Sequence, residues 1–335
     1  MATRVEIVVT PGSGTGGALA VANRLRRGLV AQGYAPSVRA FRTLGDLERW
    51  TARCEATFSH LMAVGGDATV SAVATAAVRL AVPFVPVPSG FGNLFTSAFE
   101  HSGEPREAVD LLGRGDLVWA DVGIARGGLF LSHQSYGLLE RIQQGVERVR
   151  RPRQRLLRLL TYYRAAAQHL ADDALDALEV EIDGHRIPGR AALVTIANVE
   201  TYRGFLSLTP AASPVDGVFD VCVIPRTTTA RVLGQLVKLM LGTPGGPDGI
   251  GLYRGRRVRV NTRTREEVTI APGALPLLVP PGSLERLRAR QRAAEADLTI
   301  VTPAPRERVA SGRGPAAARR PPARSRRPVA VGEAG

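Results

Sequence analysis

The chain has 335 residues, 44% of them hydrophobic, and a formal net charge of +14, which is length and apolar content enough for two buried cores and makes two domains the natural expectation. No run of about 18 uncharged apolar residues occurs, and Met1–Val9 lacks the charged-then-apolar plan of a signal peptide, so the expectation is a cytoplasmic chain, with peripheral membrane contact left open. Cys54 and Cys222 fall in apolar stretches of different predicted domains and the histidines show no metal-ligand spacing, which argues against a disulfide framework or a histidine metal site.

In chain order, Val5–Thr10 reads as a strand closing on Pro11-Gly12-Ser13-Gly14-Thr15-Gly16-Gly17, and Ala18–Gln32 follows with helical spacing in Leu19, Val21, Ala22, Leu25 and Leu29. The turn lacks the GK[ST] ending of a P-loop. The next strand, Ser37–Phe41, is followed by Arg42 and Thr43 rather than the acid a dinucleotide-binding GxGxxG unit requires. Phe58–Val64 reads as a buried parallel strand ending in Gly65-Gly66-Asp67-Ala68-Thr69, and Thr69–Leu80 is helical by the spacing of Val70, Val73, Ala74, Ala77 and Val78. Glycines let main chain approach phosphate oxygens, a helix N-terminus aims N–H groups at them, and Asp67 can hold a hydroxyl or a magnesium-bound water. The plain alternative is a tight strand-to-helix turn with Asp67 or Thr69 as N-cap. Pro83–Pro88 is a third strand, closing on Ser89-Gly90-Phe91-Gly92-Asn93 before an apolar helix, Leu94–Phe99. In an open parallel sheet three such turns gather at the carboxyl ends of the strands, where ligands bind.

Glu104–Leu112 suggests a helix and Leu117–Ile124 a strand leaving the first domain. Phe130–Gly137, Leu178–Ile182, Ala191–Asn198, Phe219–Ile224 and Arg256–Asn261 read as sheet, Thr229–Leu241 as helix, and the Leu277–Val279 and Leu284–Arg290 stretches as a return to the first domain. Arg148–Arg164 sets arginines around Leu156, Leu157, Leu159 and Leu160. That pattern suits a basic amphipathic helix on an anionic membrane surface, and equally a linker helix with solvated arginines. From Thr302 onward eight arginines stand against two glutamates in Pro/Ala/Gly-rich sequence, so the end inflates the net charge and residues 303–335 are expected to form a disordered basic tail. It lacks interleaved aromatics, and no specific nucleic-acid partner is expected.

The PxSGxG turn, the Gly65-Gly66-Asp67-Ala68-Thr69 loop, the Pro88-to-Asn93 turn, Asn198, and Pro210-Ala211-Ala212-Ser213-Pro214-Val215-Asp216-Gly217-Val218-Phe219-Asp220 together resemble the catalytic domain of the diacylglycerol kinase and sphingosine kinase superfamily, especially its bacterial soluble lipid kinases. The resemblance covers residues 4 to 288 in the family's order. It implies an α/β fold: an N-terminal Rossmann-like parallel-sheet nucleotide domain (1–123), a C-terminal β-sandwich domain (124–290) whose end returns to the first, and a cleft between them. It further implies ATP and Mg²⁺ as cofactors, a lipid acceptor at an anionic membrane surface, and room for a homodimer. Ser13, Gly14, Thr15, Gly65, Gly66, Asp67, Thr69, Gly90, Gly92 and Asn93 would hold the nucleotide. Asp216 and Asp220 would hold magnesium, although Asp216-Gly217 also reads as a simple turn, and Asn198 as a residue that satisfies buried backbone.

The chain also departs from the family. Ala68 replaces a glycine of GGDGTxxE and Ala72 its glutamate; Phe91 and Leu94 replace the threonine and aspartate of GTGND; and Ala271-Pro272-Gly273 stands where the family carries the Asp-Gly-Glu proposed to activate the acceptor hydroxyl. Glu266 and Glu267 replace that acid only under a different register, so no residue is assigned as general base. Two readings follow: a divergent lipid kinase, or a pseudokinase that keeps nucleotide or anionic-lipid binding. The GGD loop also resembles that of NAD kinases.

Overall fold

Strand and helix alternate through the first 125 residues because apolar runs long enough for a buried strand are broken by glycine turns and followed by helical periodicity. The computed structural model describes residues 2–11, 17–89, 92–137, 177–200, 208–228, 231–232, 234–235, 249–262, 264–296 and 298. Strands β1 (Arg4–Val9), β2 (Ala35–Ala40), β3 (His60–Gly65) and β4 (Phe84–Pro88) are separated by helices α1 (Ala18–Ala31), α2 (Leu44–Arg53) and α3 (Asp67–Leu80), and α4 (Leu94–Ala98) and α5 (Pro105–Arg114) follow. The strands lie parallel in the order β2-β1-β3-β4. Val5, Ile7 and Val9 face α1 and α5 on one side of the sheet, while Val8, Leu61 and Ala63 face α2 and α3 on the other. Burial of both faces explains why these strands read as continuous apolar runs.

Helix α2 was not expected. Arg42-Thr43 is less the end of a dinucleotide strand than a helix start: Thr43 Oγ1 accepts the Asp46 N–H at 3.1 Å, an N-cap followed three residues later by an acid.

The chain leaves this layer on β5 (Asp116–Ala125) and comes back on β14 (Arg265–Val279), which pair antiparallel along almost their whole length with a register shift between Ala271 and Leu275. The return expected at Leu277–Val279 is thus the last three residues of one 15-residue strand, and Leu277 pairs in parallel with Phe84 of β4. Further along β14 the same sheet continues through β13 (Arg257–Asn261), β8 (Glu179–Ile182) and β9 (His185–Arg186), with β6 (Gly128–Phe130) on β5. A second sheet, β12-β11-β10-β7, is built from Gly251–Gly255, Phe219–Pro225, Ala191–Ala197 and His133–Gly137. Tyr136, Ile182, Val194, Phe219, Val258 and Val268 fill the space between the two sheets, giving the expected sandwich. The stretch read as one strand, Phe130–Gly137, is two: the chain bends at Leu131–Ser132 and passes from one sheet to the other.

Asn198 sits where β10 leaves the sandwich. Fully buried, it donates through Nδ2 to the carbonyls of Asp121 and Leu131, each at 2.9 Å, stitching β5 to the end of β10. It therefore satisfies buried backbone carbonyls, the plainer of its two readings. Asn198→Leu is expected to cost about 2–4 kcal/mol, because two buried carbonyls lose their donor; a urea titration measures it as a lower midpoint at unchanged slope.

Candidate functional site

The carboxyl ends of β1, β3 and β4 lie side by side, which sets the described parts of the turns after β3 and β4 next to each other. Of the residues expected there, Ser13, Gly14, Thr15 and Gly90 lie outside the described residues, as does Phe91. Gly65, Gly66, Asp67, Thr69, Gly92 and Asn93 are described, and they form one interlocked group.

Gly65 ends β3 with its carbonyl accepting the Ser89 N–H at 3.0 Å, which ties the second turn to the third. A Cβ at Gly65 would lie 2.5 Å from that of Thr69. The strand therefore passes against the first turn of α3 only because residue 65 has no side chain. Thr69 donates from Oγ1 to Thr10 Oγ1 at 3.1 Å, linking α3 to the end of β1. The N-cap of α3 is Gly66, with no side-chain capping bond, so neither Asp67 nor Thr69 caps the helix as the simple-turn reading held. The first helical bond runs from Val70 N–H to the Gly66 carbonyl. That leaves the N–H groups of Asp67 and Ala68 at the mouth of a 14-residue helix, a suitable site for phosphate oxygens.

Asp67 turns across the cleft. Its Oδ2 accepts the Asn93 N–H at 3.0 Å, and the Leu94 N–H also points to it. Asn93 is left-handed (φ 48°) and Gly92 lies at φ 101°, where a Cβ would come 3.1 Å from Asp67 Oδ2. The third turn thus wraps a carboxylate that holds it to the second. Burial raises the pKa of Asp67, against the pull of those two N–H groups.

A second constellation lies around β11. Asp121, on β5 and 2% exposed, accepts the Gly217 N–H through Oδ2 and the Gly273 N–H through Oδ1, both at 2.7 Å. One carboxylate thereby fixes both the Asp216-Gly217 turn and the bulge of β14. Sequence reading missed Asp121; the available signal was an acid inside the apolar alternation of Val118, Ala120 and Val122. Asp216 accepts the Val218 N–H at 3.2 Å and the Gln291 Nε2 at 2.7 Å, the latter from α6 (Ser283–Ala296). Asp220 accepts Arg254 Nε at 3.2 Å, and Arg254 Nη2 lies 2.6 Å from Glu295 of α6. The same helix grips the other layer: Arg286 and Arg290 bind Glu100, just after α4, and Arg290 donates to the Ala98 carbonyl.

The magnesium pair Asp216 and Asp220 therefore meets a guanidinium and an amide. Among the described residues no group of three or more His, Cys, Asp or Glu is arranged to hold a metal ion, so a resident magnesium does not fit these side chains as they stand.

Burial lifts Asp220 to about 7 and Asp216 to about 6, with Arg254 opposing in both cases. An acid whose folded pKa is raised stays protonated where the unfolded chain has already ionised. Its stabilising contribution is therefore complete below about pH 4 and is lost as pH rises through about 7. Wild type should lose on the order of 3 kcal/mol more than Asp220→Asn between pH 4 and pH 8; parallel urea titrations at several pH values measure the difference, and identical profiles would contradict it.

Glu266 and Glu267 are engaged on the sheet surface, Glu266 by Arg126 at 3.4 Å and Glu267 by Arg259 at 2.7 Å. At 271–273 the chain offers Ala, Pro and a glycine at φ 55° whose N–H is bound to Asp121. The position at which the family resemblance expects a base carries no carboxylate.

Comparison with known proteins agrees with this architecture. Residues 4–125 match the model described as the diacylglycerol kinase catalytic domain, and residues 134–279 match that of the YegS C-terminal NAD kinase beta sandwich-like domain. The chain is 26% identical over 247 residues to a diacylglycerol kinase of Bacillus subtilis, covering 71% of this chain and 79% of that protein. It is 25% identical over 213 residues to a diacylglycerol kinase of Staphylococcus aureus, covering 62% of this chain and 65% of that one. A crystal structure of a diacylglycerol kinase from Bacillus anthracis shares the fold at a TM-score of 0.63 and 18% identity, over 83% of this chain and 98% of that one. With the catalytic-domain match followed in order by the β-sandwich match, the chain belongs to the diacylglycerol kinase and YegS-type lipid kinase superfamily.

Proposed function

We propose that the protein transfers the terminal phosphoryl group of ATP to a hydroxyl of diacylglycerol or a related lipid. The observation that carries this reading is the Asp67 brace: two turns at adjacent strand ends are locked together over the open N-terminus of α3, the geometry that receives a nucleotide's phosphates. Its relatives named as diacylglycerol kinases supply the acceptor class.

Phosphoryl transfer depends on positioning and charge neutralisation more than on covalent chemistry. The N–H groups of Asp67 and Ala68 bind and orient phosphate oxygens, and Asp67 sets the distance to the Gly92-Asn93 wall. A divalent cation carried by ATP as its counter-ion would supply charge neutralisation at the phosphates, with none of the described side chains assigned to hold it. In the β-domain, Asp121 fixes the backbone at Gly217 and Gly273 without itself presenting a free carboxylate. A lipid acceptor has to be drawn from a bilayer. Among the described residues no helix is long and apolar enough to cross a membrane, and the basic stretch Arg148–Arg164, outside those residues, is the proposed contact with an anionic surface.

Purified protein with MgATP and mixed micelles of diacylglycerol should form phosphatidate. Phosphorylation of NAD in its place would convert the reading to the NAD-kinase branch. No transfer to diacylglycerol or NAD, with ATP still bound, would leave the pseudokinase.

A further inference from the structure

The parallel neighbours β4 and β14 register at a single pair, Leu277 with Phe84. Beyond it β4 carries Pro86 and Pro88, and the chain after β14 carries Pro280 and Pro281. Four positions without an N–H prevent the ladder from continuing, and the strands part. The gap is a cavity of about 230 Å³ bounded by Pro86, Pro280 and Pro281 and by Ala108 and Leu111 of α5. It shares no lining residue with the three turns.

One side chain in its wall is polar, enclosed and unused. His101 is 9% exposed, and its Nε2 is sealed without a hydrogen-bond partner. Burial pulls its pKa down to about 4, so the ring is neutral near pH 7 and keeps one nitrogen as an acceptor. The charged part of the lining is mainly acidic: Glu104, Glu107 and Asp110 against Arg114. Glu107 accepts from the Ser102 hydroxyl and Asp110 from Gln32 Nε2, hydrogen bonds that leave the negative charge in place.

We propose that this cavity binds a small organic cation: an apolar body of about one aromatic ring seated among the prolines, with an ammonium group facing the carboxylates and the His101 imidazole. Each part of the lining selects one part of that ligand. The proline and leucine surface takes the apolar body. An excess of carboxylates in the lining rejects anions and favours a cation over a neutral isostere. A neutral imidazole accepts from an ammonium without repelling it. The site lies on the segment after α4, where Gly103 (φ 81°) packs so closely that a Cβ would sit 2.5 Å from the Pro88 carbonyl. Its wall is therefore continuous with the strand end that begins the third turn of the nucleotide cleft.

Calorimetric titration of the full chain at pH 7 with phenethylammonium, 2-phenylethanol and phenylacetate tests the proposal. Phenethylammonium should bind, 2-phenylethanol about tenfold more weakly, and phenylacetate not measurably. The Glu104→Gln/Glu107→Gln double variant should lose about that same tenfold for the ammonium and nothing for the alcohol. His101→Phe, which keeps the ring and removes the acceptor, should weaken the ammonium alone. Ala108→Leu fills the cavity and should abolish both, with a melting curve showing that the variant is folded; if it is not, the surface double variant decides. Asp67→Ala should leave binding unchanged, separating this site from the cleft. Equal affinity for alcohol and ammonium, displacement by ATP, or no binding of phenethylammonium would overturn the proposal.

Discussion

Asp67→Ala is expected to lower kcat/KM for lipid phosphorylation by about 100-fold or more while leaving the fold intact. The loss follows from geometry: without the carboxylate, Asn93 and Leu94 lose the acceptor that holds the third turn against the second, and misplacement of a binding wall by an ångström is enough to cost about two orders of magnitude. The small effect on stability follows from burial, which already penalises the ionised carboxylate and raises its pKa, so removing it relieves a desolvation cost while losing two hydrogen bonds. The melting temperature should fall by only a few degrees, equivalent to about 1 kcal/mol. Asp67→Asn, which keeps an oxygen acceptor, should recover part of the activity. An alanine variant as active as wild type would show that the brace plays no part in turnover.

The opposite balance is expected at Asp121. Asp121→Ala leaves the N–H groups of Gly217 and Gly273 without a partner at a site that is 2% exposed, and each orphaned group costs about 1–3 kcal/mol. A total of about 3–5 kcal/mol is a large part of the stability of an ordinary domain. Denaturant titration should show it directly, and temperature should inactivate this variant earlier than Asp67→Ala. A loss below about 1 kcal/mol would mean that the turn and the bulge hold their shape without Asp121.

Much of this was readable before the structure, and the residues that resisted share a physical reason. The three strand-turn-helix units were legible because both signals are local: apolar runs in β1, β3 and β4, and glycines at their ends. The sandwich was legible as a set of strands, but its pairing was not. Nothing local in Arg265–Val279 says that one strand will join both layers, and the break at Leu131–Ser132 is a change of sheet, which periodicity does not record. At the site, Gly65, Gly66, Asp67, Thr69, Gly92 and Asn93 lie at neighbouring strand ends, where the turns were expected to gather. What no motif reveals is that Asp67 spends its carboxylate on the third turn, since its partners are backbone N–H groups 26 and 27 residues away. Asp216 and Asp220 were expected as magnesium ligands because the family resemblance implies them. Arg254, on the neighbouring strand β12, and Gln291 and Glu295, on the returning helix, are remote in sequence and supply other partners. The departures at Ala72, Leu94 and Ala271–Gly273 were legible as letters, and the structure adds that the nearby acids Glu266, Glu267 and Asp121 are already engaged.

The central claim is that phosphate still moves through this cleft, from nucleotide to lipid. Incubation of the purified chain with γ-labelled MgATP and a total lipid extract, beside the Asp67→Ala variant, tests it most directly. A labelled phospholipid formed by the wild type and nearly absent with the variant is the predicted result; ATP binding without any labelled lipid, or equal labelling by both proteins, would contradict it.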